Sequence, residues 1–461
     1  MPLAALHAWT PPLQLVLLAL PAAAAGIALL RRAGPRDSSK RGARVLRGRA
    51  ARRAMRRRGR ARQAGVALAG VRIEEREETR HFKLIGTTGT GKSSAIAALL
   101  AAALARGDRA VISDADGLYA ARFWRRERGD VILNPFDPRS VQWDLFAEIG
   151  RPWDIEQLVS GLIALGEDAA AREWRGYART FLSALLRRCC EAGRTEAGEL
   201  WRLLTVAPTE ELRPLLAGTP AQPFLDAENA RMFGSIRSVA ASAAAAFEHV
   251  QAQRARPFSI RHWLRSGHGA LFMPYQATQV AALRTIIAAW MRLAIYEAMS
   301  HPGEERRLWF VVDELDSLGA IDGLKDALAR LRKFGGRCVL GFQSIAQVSA
   351  TYGHGEAQTI VENCANTLIL RCSGSEHGGT AQFAARLIGE REVIRRQVAR
   401  ARDRVGLWPA RDARRSHSVS EQQVTESAVL AAEIEQLPDL SGYLKTAAAA
   451  HWLRVSFPAQ R

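Results

Sequence analysis

Eight consecutive residues constrain this chain more than any others. Gly86-Thr-Thr-Gly-Thr-Gly91-Lys92-Ser93 satisfies G-x-x-x-x-G-K-[ST] at every fixed position. Glycines at those positions let successive backbone N–H groups turn inward around a phosphate, where a side chain would collide with it. The flanks suit the loop. His81-Phe-Lys-Leu-Ile85 reads as a short strand leading in, and the Ala/Leu-rich stretch Ser94–Ala105 reads as a helix leading out. The positive end of that helix would add to the attraction for phosphate. Gly86, Thr87, Thr88, Gly89, Thr90, Gly91, Lys92, Ser93 and Ser94 are therefore the expected nucleotide-binding set. Lys92 would face the β- and γ-phosphates of ATP, and the Ser93 hydroxyl is placed to ligate Mg²⁺.

A second element separates hydrolysis from binding. Leu308-Trp-Phe-Val-Val312 is an apolar strand that ends on Asp313 and Glu314. Strand ends of this kind meet ligands at the carboxyl edge of an open α/β sheet. Asp313 would hold the magnesium and Glu314 would act as general base toward the attacking water. One strand further, Val339-Leu-Gly-Phe342 ends on Gln343, which either contacts the γ-phosphate and reports its loss or caps the following helix. Asp114, after another apolar run, either orients the site or makes a turn.

Short apolar runs recur at Phe82–Gly86, Ala110–Ile112, Val131–Leu133, Ala270–Met273, Leu308–Val312, Val339–Phe342 and Thr367–Leu370, separated by helical patterns. Strands alternating with helices imply an α/β fold with a mostly parallel sheet covered on both faces. Residues 154–250 differ. Trp174, Tyr177, Phe181 and Leu185 recur at helical spacing, more Pro- and Gly-punctuated helices follow, and no β-branched run interrupts them. The expected organisation is a nucleotide-binding domain at 64–153 and 251–461, with an all-α domain inserted at 154–250.

Charge is uneven along the 461 residues. Of the net +19, +14 falls between Arg31 and Arg62, which hold fifteen Arg or Lys against Asp37 alone. The globular part accordingly carries no concentrated basic stripe in this reading. Leu13–Leu30 has no charge and lies at the lower limit for spanning a bilayer. Basic residues after such a run keep its following end cytoplasmic, so residues 1–32 are expected to form an N-terminal membrane anchor and 33–63 an Arg-rich juxtamembrane linker. The alternative for Leu13–Leu30 is a disordered or core-packed apolar terminus. Arg41–Arg62 would be either a solvated linker in contact with anionic lipid or a direct DNA contact. Five cysteines without C-x-x-C spacing argue against zinc and redox motifs.

Taken in order, Leu84–Ser93, Asn134-Pro-Phe-Asp-Pro138 with Trp143, Val311–Glu314, Leu331-Arg-Lys-Phe-Gly335, Gly341–Gln347 and Glu433-Ile-Glu-Gln-Leu-Pro438 resemble the TraD/TrwB-type coupling proteins of conjugative type IV secretion. The likeness extends from Gly65 to Phe457. It implies a RecA-like P-loop ATPase, assembled as a homo-hexamer at the bacterial inner membrane with its bulk in the cytoplasm. Such a motor translocates DNA, here expected single-stranded and engaged without regard to sequence. It links a relaxase-bound strand to the secretion channel. Members commonly carry two membrane helices, whereas one candidate is visible here, and no long C-terminal tail follows. ATP would sit between subunits, with a neighbour's arginine completing the site; Arg330, Arg332 and Arg337 are the candidates. Two rivals are an FtsK/HerA-like DNA pump and a receptor that recruits secreted proteins without turnover.

Overall fold

Each of the seven apolar runs becomes a strand, and their unbroken apolarity decides how they pair. The structure, a computed structural model, describes residues 38–59, 65–165, 168–300, 307–375, 379–402 and 415–459. Leu13–Leu30 lies outside them, and among the described residues no helix is long and apolar enough to cross a membrane. The strands are β1 (Ser38–Gly42), β2 (Val45–Leu46), β3 (Ala67–Leu68), β4 (Val71–Arg72), β5 (Phe82–Ile85), β6 (Arg109–Ala115), β7 (Val131–Ile132), β8 (Gln142–Trp143) and β9 (Pro257–Phe258). They continue as β10 (Ala270–Tyr275), β11 (Leu308–Val312), β12 (Gly336–Phe342), β13 (Asn366–Ile369), β14 (Glu390–Arg402), β15 (Arg415–Ser427), β16 (Ser441–Lys445) and β17 (Trp452–Ser456).

The chain forms two units, Val45–Leu387 with Val429–Arg461, and Met1–Arg44 with Ile388–Ala428. The larger contains a ten-stranded sheet in the order β2-β17-β16-β13-β5-β12-β11-β6-β10-β7. The run from β13 to β7 is parallel throughout, and β16 is antiparallel to both of its neighbours. Every residue of β5, β11 and β12 is buried. A parallel sheet covered on both faces requires continuous apolar strands rather than alternating ones. The helix Lys92–Ala105 covers part of it, with Ala95, Ile96, Leu99, Leu100 and Ala103 fully buried. Because the central strands run the same way, the segments that follow β5, β6, β11, β12 and β13 all emerge at one edge.

Helices Asp154–Leu162, Ala169–Glu191, Ala197–Thr205, Thr209–Leu215, Ala230–Ala243 and Ala246–Ala252 follow one another with no strand among the described residues. The aromatic stripe of the long helix is core at Phe181 and Leu185, with Phe181 edge-on to Phe233 at 5.2 Å, while Trp174 is 37% exposed. The chain enters and leaves this block side by side, where β8 pairs in parallel with β9. Glu148 ties the two crossings together, accepting hydrogen bonds from Trp143 Nε1 (3.0 Å), Ile260 N (2.6 Å), Arg261 N (3.1 Å) and Ser259 Oγ (3.1 Å). Burial still pushes its carboxyl up to about 7.

The Arg-rich stretch departs from a solvated linker. Val45–Leu46 pairs with β17, and Gly48–Gly59 is a helix that buries Ala51. Arg47 bonds Glu433 (2.7 Å), and Arg58 reaches Glu77 (3.4 Å).

In the smaller unit β14 and β15 pair antiparallel over thirteen residues each, and β1 adds to the other side of β14 near its start.

Candidate active site

The glycine loop is hung from two neighbouring strands. Gly86 N donates to Phe342 O at the end of β12 (3.3 Å), and Thr87 N donates to Arg371 O beyond β13 (2.9 Å). Gly89 and Gly91 have φ of +77° and +111°, left-handed values that a side chain resists. At Gly91 a Cβ would also stand 2.7 Å from Leu440 Cδ2. Thr87 and Thr90 turn their hydroxyls into the loop's own support, Thr87 Oγ1 donating to Arg371 O (3.2 Å) and Thr90 Oγ1 to Thr87 O (2.7 Å). The remaining loop residues, Thr88, Gly89, Gly91, Lys92, Ser93 and Ser94, line a cavity of about 180 Å³ together with Asp313, Glu314 and Gln343. The sheet thus brings together residues that lie up to 255 positions apart.

Lys92 is 6% exposed and donates from Nζ to Gly86 O (2.6 Å) and Thr87 O (3.3 Å). Burial lowers its pKa, opposed by the charges of Asp313 and Glu314. Asp313 is equally enclosed at 4% exposure. Its Oδ2 accepts from Ser93 Oγ (2.7 Å) and from Tyr119 OH (2.6 Å), while Oδ1 is buried without a partner. An orphaned carboxylate oxygen beside a serine hydroxyl is costly unless a cation or water completes it. Ser93 and Asp313 therefore fit a magnesium ion that draws its other ligands from phosphate and water.

Glu314 is held from the opposite side. Gln343 Nε2 donates to Glu314 Oε1 (3.0 Å), and Thr88 Oγ1 donates to Gln343 Oε1 (2.8 Å). A single amide thus links the phosphate loop to the carboxylate. Burial raises the Glu314 pKa, the Asp313 charge raises it further, and the Gln343 hydrogen bond pulls it back. Asp114 does not reach the cavity's lining. Its carboxylate accepts from Tyr119 N (3.0 Å) and Ala120 N (2.6 Å) at the start of the helix Leu118–Phe123, and burial lifts it to about 7. It orients the site only through Tyr119, whose backbone it caps and whose hydroxyl binds Asp313.

Sequence reasoning missed three residues here. Tyr119 is one, and the adjacency of β6 to β11 is the signal that would have found it. Leu440 is another: its N–H donates to Thr90 O (2.9 Å), bracing the loop from the far end of the chain. Gly341 is the third, since a Cβ there would stand 2.2 Å from Asp313 O. Arg337, one of the three arginine candidates, drops out. It is 3% exposed at the opposite end of β12, bonded to Glu78 (2.8 Å) and Gly335 O (2.6 Å), and cannot reach a neighbour. Arg330 and Arg332 are exposed.

Comparison with known proteins agrees with this geometry. Coupling protein TraD of Escherichia coli (strain K12) is 31% identical over 390 residues, covering 82% of this chain and 52% of TraD, so the chain spans about half the length of that relative. The structure matches the bacterial conjugative coupling protein TrwBdeltaN70 with a TM-score of 0.81 at 30% identity, covering 93% of this chain and 95% of that one. It matches the plasmid coupling protein TrwB in complex with ADP and Mg²⁺ with a TM-score of 0.80 at 31% identity, covering 93% and 96%. At these levels the fold is shared, which makes it α/β and RecA-like. The model for the type IV secretion-system coupling protein DNA-binding domain matches residues 65–458, and the chain belongs to that family of coupling proteins.

Proposed function

We propose that this chain is an ATP-driven motor that moves DNA toward a conjugative type IV secretion channel. The observation that carries the reading is the closed set of contacts around the glycine loop: Ser93 on Asp313, and Thr88 through Gln343 to Glu314. TrwB has been seen with ADP and Mg²⁺ and with a non-hydrolysable ATP analogue, which supports the same ligands here. A passive receptor would have no use for a buried base and a tethered amide. The inserted helical block, residues 154–250, favours a coupling protein over a chromosomal DNA pump.

In the reaction the loop's inward N–H groups and Lys92 hold the β- and γ-phosphates. A magnesium ion held by Ser93 and Asp313 would neutralise charge on their oxygens. Glu314 takes a proton from the attacking water as that water bonds to the γ-phosphorus and the β–γ bridge breaks. Gln343 contacts both the loop residue Thr88 and the base, so loss of the γ-phosphate on one side is felt on the other. Apposition of subunits in a ring would let Arg330 or Arg332 of a neighbour act on the transition-state charge. The strand in transit would be gripped by its phosphates, without reading sequence. A relaxase delivers that strand, and Leu13–Leu30 anchors the motor in the inner membrane with Met1 outside.

Two variants probe the support of the site. Tyr119→Phe removes the hydroxyl that orients Asp313 and should raise the Mg²⁺ concentration for half-maximal activity roughly 10–100-fold, the usual loss for a partner of a metal ligand. An unchanged Mg²⁺ dependence would mean the hydroxyl does not matter. Gln343→Ala removes the hydrogen bond that lowers the Glu314 pKa. The base must be ionised to accept a proton, so activity is lost as pH falls through that pKa. With the pKa raised further, the acid limb of the kcat profile should move to higher pH; a limb in the parental position would detach Gln343 from the base.

The motor reading is tested by ATPase rate against protein concentration, with and without single-stranded DNA of arbitrary sequence. Specific activity should rise with concentration and again with DNA, and stimulation should fall as salt rises. Activity indifferent to both would overturn it. Flotation of the full chain with vesicles, and protease accessibility of a tag before Met1 from the periplasm, test the anchor.

A further inference from the structure

Beyond β7, the outermost strand at one side of the ten-stranded sheet, lies a cavity of about 640 Å³ that shares no residue with the nucleotide site. Three stretches wall it: the turn after the helix Leu118–Phe123, the turn after β7, and the segment that leaves the helical block. Each contributes an arginine, Arg126, Arg139 and Arg256 in turn. No single stretch of sequence shows this concentration of charge. Asp130 is the one acid in the lining, and it is already engaged by Arg128 Nε (2.8 Å), Arg125 N (2.8 Å) and Ala270 N (2.9 Å). Arg126 and Arg256 are exposed, and their guanidinium groups make no hydrogen bond or ion pair among the described residues.

Arg139 is held in place. Its Nε and Nη2 donate to Asp137 Oδ1 (3.0 Å) and Oδ2 (2.7 Å), and its Cζ lies 5.5 Å from the centroid of the Trp124 ring. This gives a role to Asn134-Pro-Phe-Asp-Pro138, a motif the ATP site does not use. Asn134 Nδ2 donates to Pro274 O (2.8 Å) near the end of β10, and its Oδ1 accepts from Phe136 N (2.8 Å). The turn fixed in this way sets Asp137 beside Arg139. Arg256 is placed by the crossing out of the helical block, where its carbonyl accepts from Gln142 N (3.0 Å).

A solvated arginine on its own needs no partner. Three brought to one concavity, with its only acid already neutralised, repel one another until an anion enters. A guanidinium fork matches phosphate oxygens in pairs. A free nucleotide fits poorly, because the lining offers no glycine-rich run of inward N–H groups like Gly86–Ser93. Trp124 packs on the core and carries Arg139 over its ring, so it offers no free face to a base. What remains are side-chain charges suited to a sugar–phosphate backbone, which position a strand without reading it.

We propose that this cavity grips the backbone of the single DNA strand in transit, with Arg126, Arg139 and Arg256 as its phosphate contacts. The proposal rests on the motor reading and assigns its grip to a place. Val141 and Arg256 flank β8 and β9, so a strand held there sits at the junction of sheet and helical block.

The test is fluorescence anisotropy of a labelled single strand of arbitrary sequence, titrated with the full chain over a range of salt. Arg126→Gln with Arg256→Gln should flatten the dependence of log affinity on log salt by about 0.7 for each phosphate contact removed, which is a loss of roughly 10–30-fold at about 0.1 M salt. ATP binding and the DNA-free hydrolysis rate should stay parental, which excludes a folding defect. Asp137→Asn, which removes the anion competing for Arg139, should bind the strand at least as tightly as the parent chain. If the double variant keeps the parental affinity and salt slope, the strand is held elsewhere and this site is wrong, while the motor stands. If the parent chain itself binds no single strand, the motor reading falls with it. If the double variant keeps the strand but loses a second ADP bound per chain, the cavity is a nucleotide site and the proposal is overturned.

Discussion

Glu314→Gln should bind ATP as the parent chain does and turn it over roughly 10²–10⁴ times more slowly, the usual loss when a positioned general base is removed. The substitution is nearly isosteric. The new amide oxygen still accepts from Gln343 Nε2, so the link from Thr88 across the cavity survives. What disappears is the capacity to take a proton. Single-turnover hydrolysis beside fluorescent-nucleotide binding separates the two quantities. Turnover near the parental rate would place the base on another group.

Lys92→Ala should fail earlier, at binding. A buried ammonium aimed at a phosphate site acts where water screens it little, and deleting one such preorganised group costs roughly 10²–10³ in rate. It also removes the Lys92 donor from Gly86 O, while Thr87 O keeps the Thr90 hydroxyl. The expected outcome is a large rise in the ATP dissociation constant with a melting temperature close to the parent's; a protein that melts early would point to the loop's fold instead. Burial lowers the Lys92 pKa, so its positive form is lost as pH rises through a value below the ordinary lysine range. The alkaline limb of the parental activity profile should fall correspondingly early.

The residues that line the cavity were legible because they sit at strand ends fixed by local pattern. Gly86–Ser93 announces itself, and Asp313, Glu314 and Gln343 each follow a short run that reads as a buried strand once set beside that loop. Their supports were not legible, because support depends on which strands are neighbours. Tyr119 touches Asp313 only because β6 lies beside β11. Arg337 looked available in sequence, yet the first residues of β12 are as buried as the last. The hairpin escaped notice for a different reason. β14 and β15 are rich in Arg, Glu, Gln and Ser, with no continuous apolar side, so they lack the signature that marks a core strand. Counting charge by segment hid them too, since Glu390, Glu392, Glu421 and Glu426 offset most of the arginines in the two strands.

The hydrogen bond from Leu440 to Thr90 has a consequence for biosynthesis. The two residues are about 350 positions apart, and Leu440 with Phe457 packs where a Cβ on Gly91 would stand. During translation the phosphate loop leaves the ribosome early but waits for its last brace. At about 5–20 residues per second that interval is roughly 20–70 s. A nascent chain stalled before Leu440 would carry the whole nucleotide motif, held at Phe342 and Arg371 but without its brace at Thr90. Emergence of Leu440, rather than appearance of the motif, would then set when the loop gains this support.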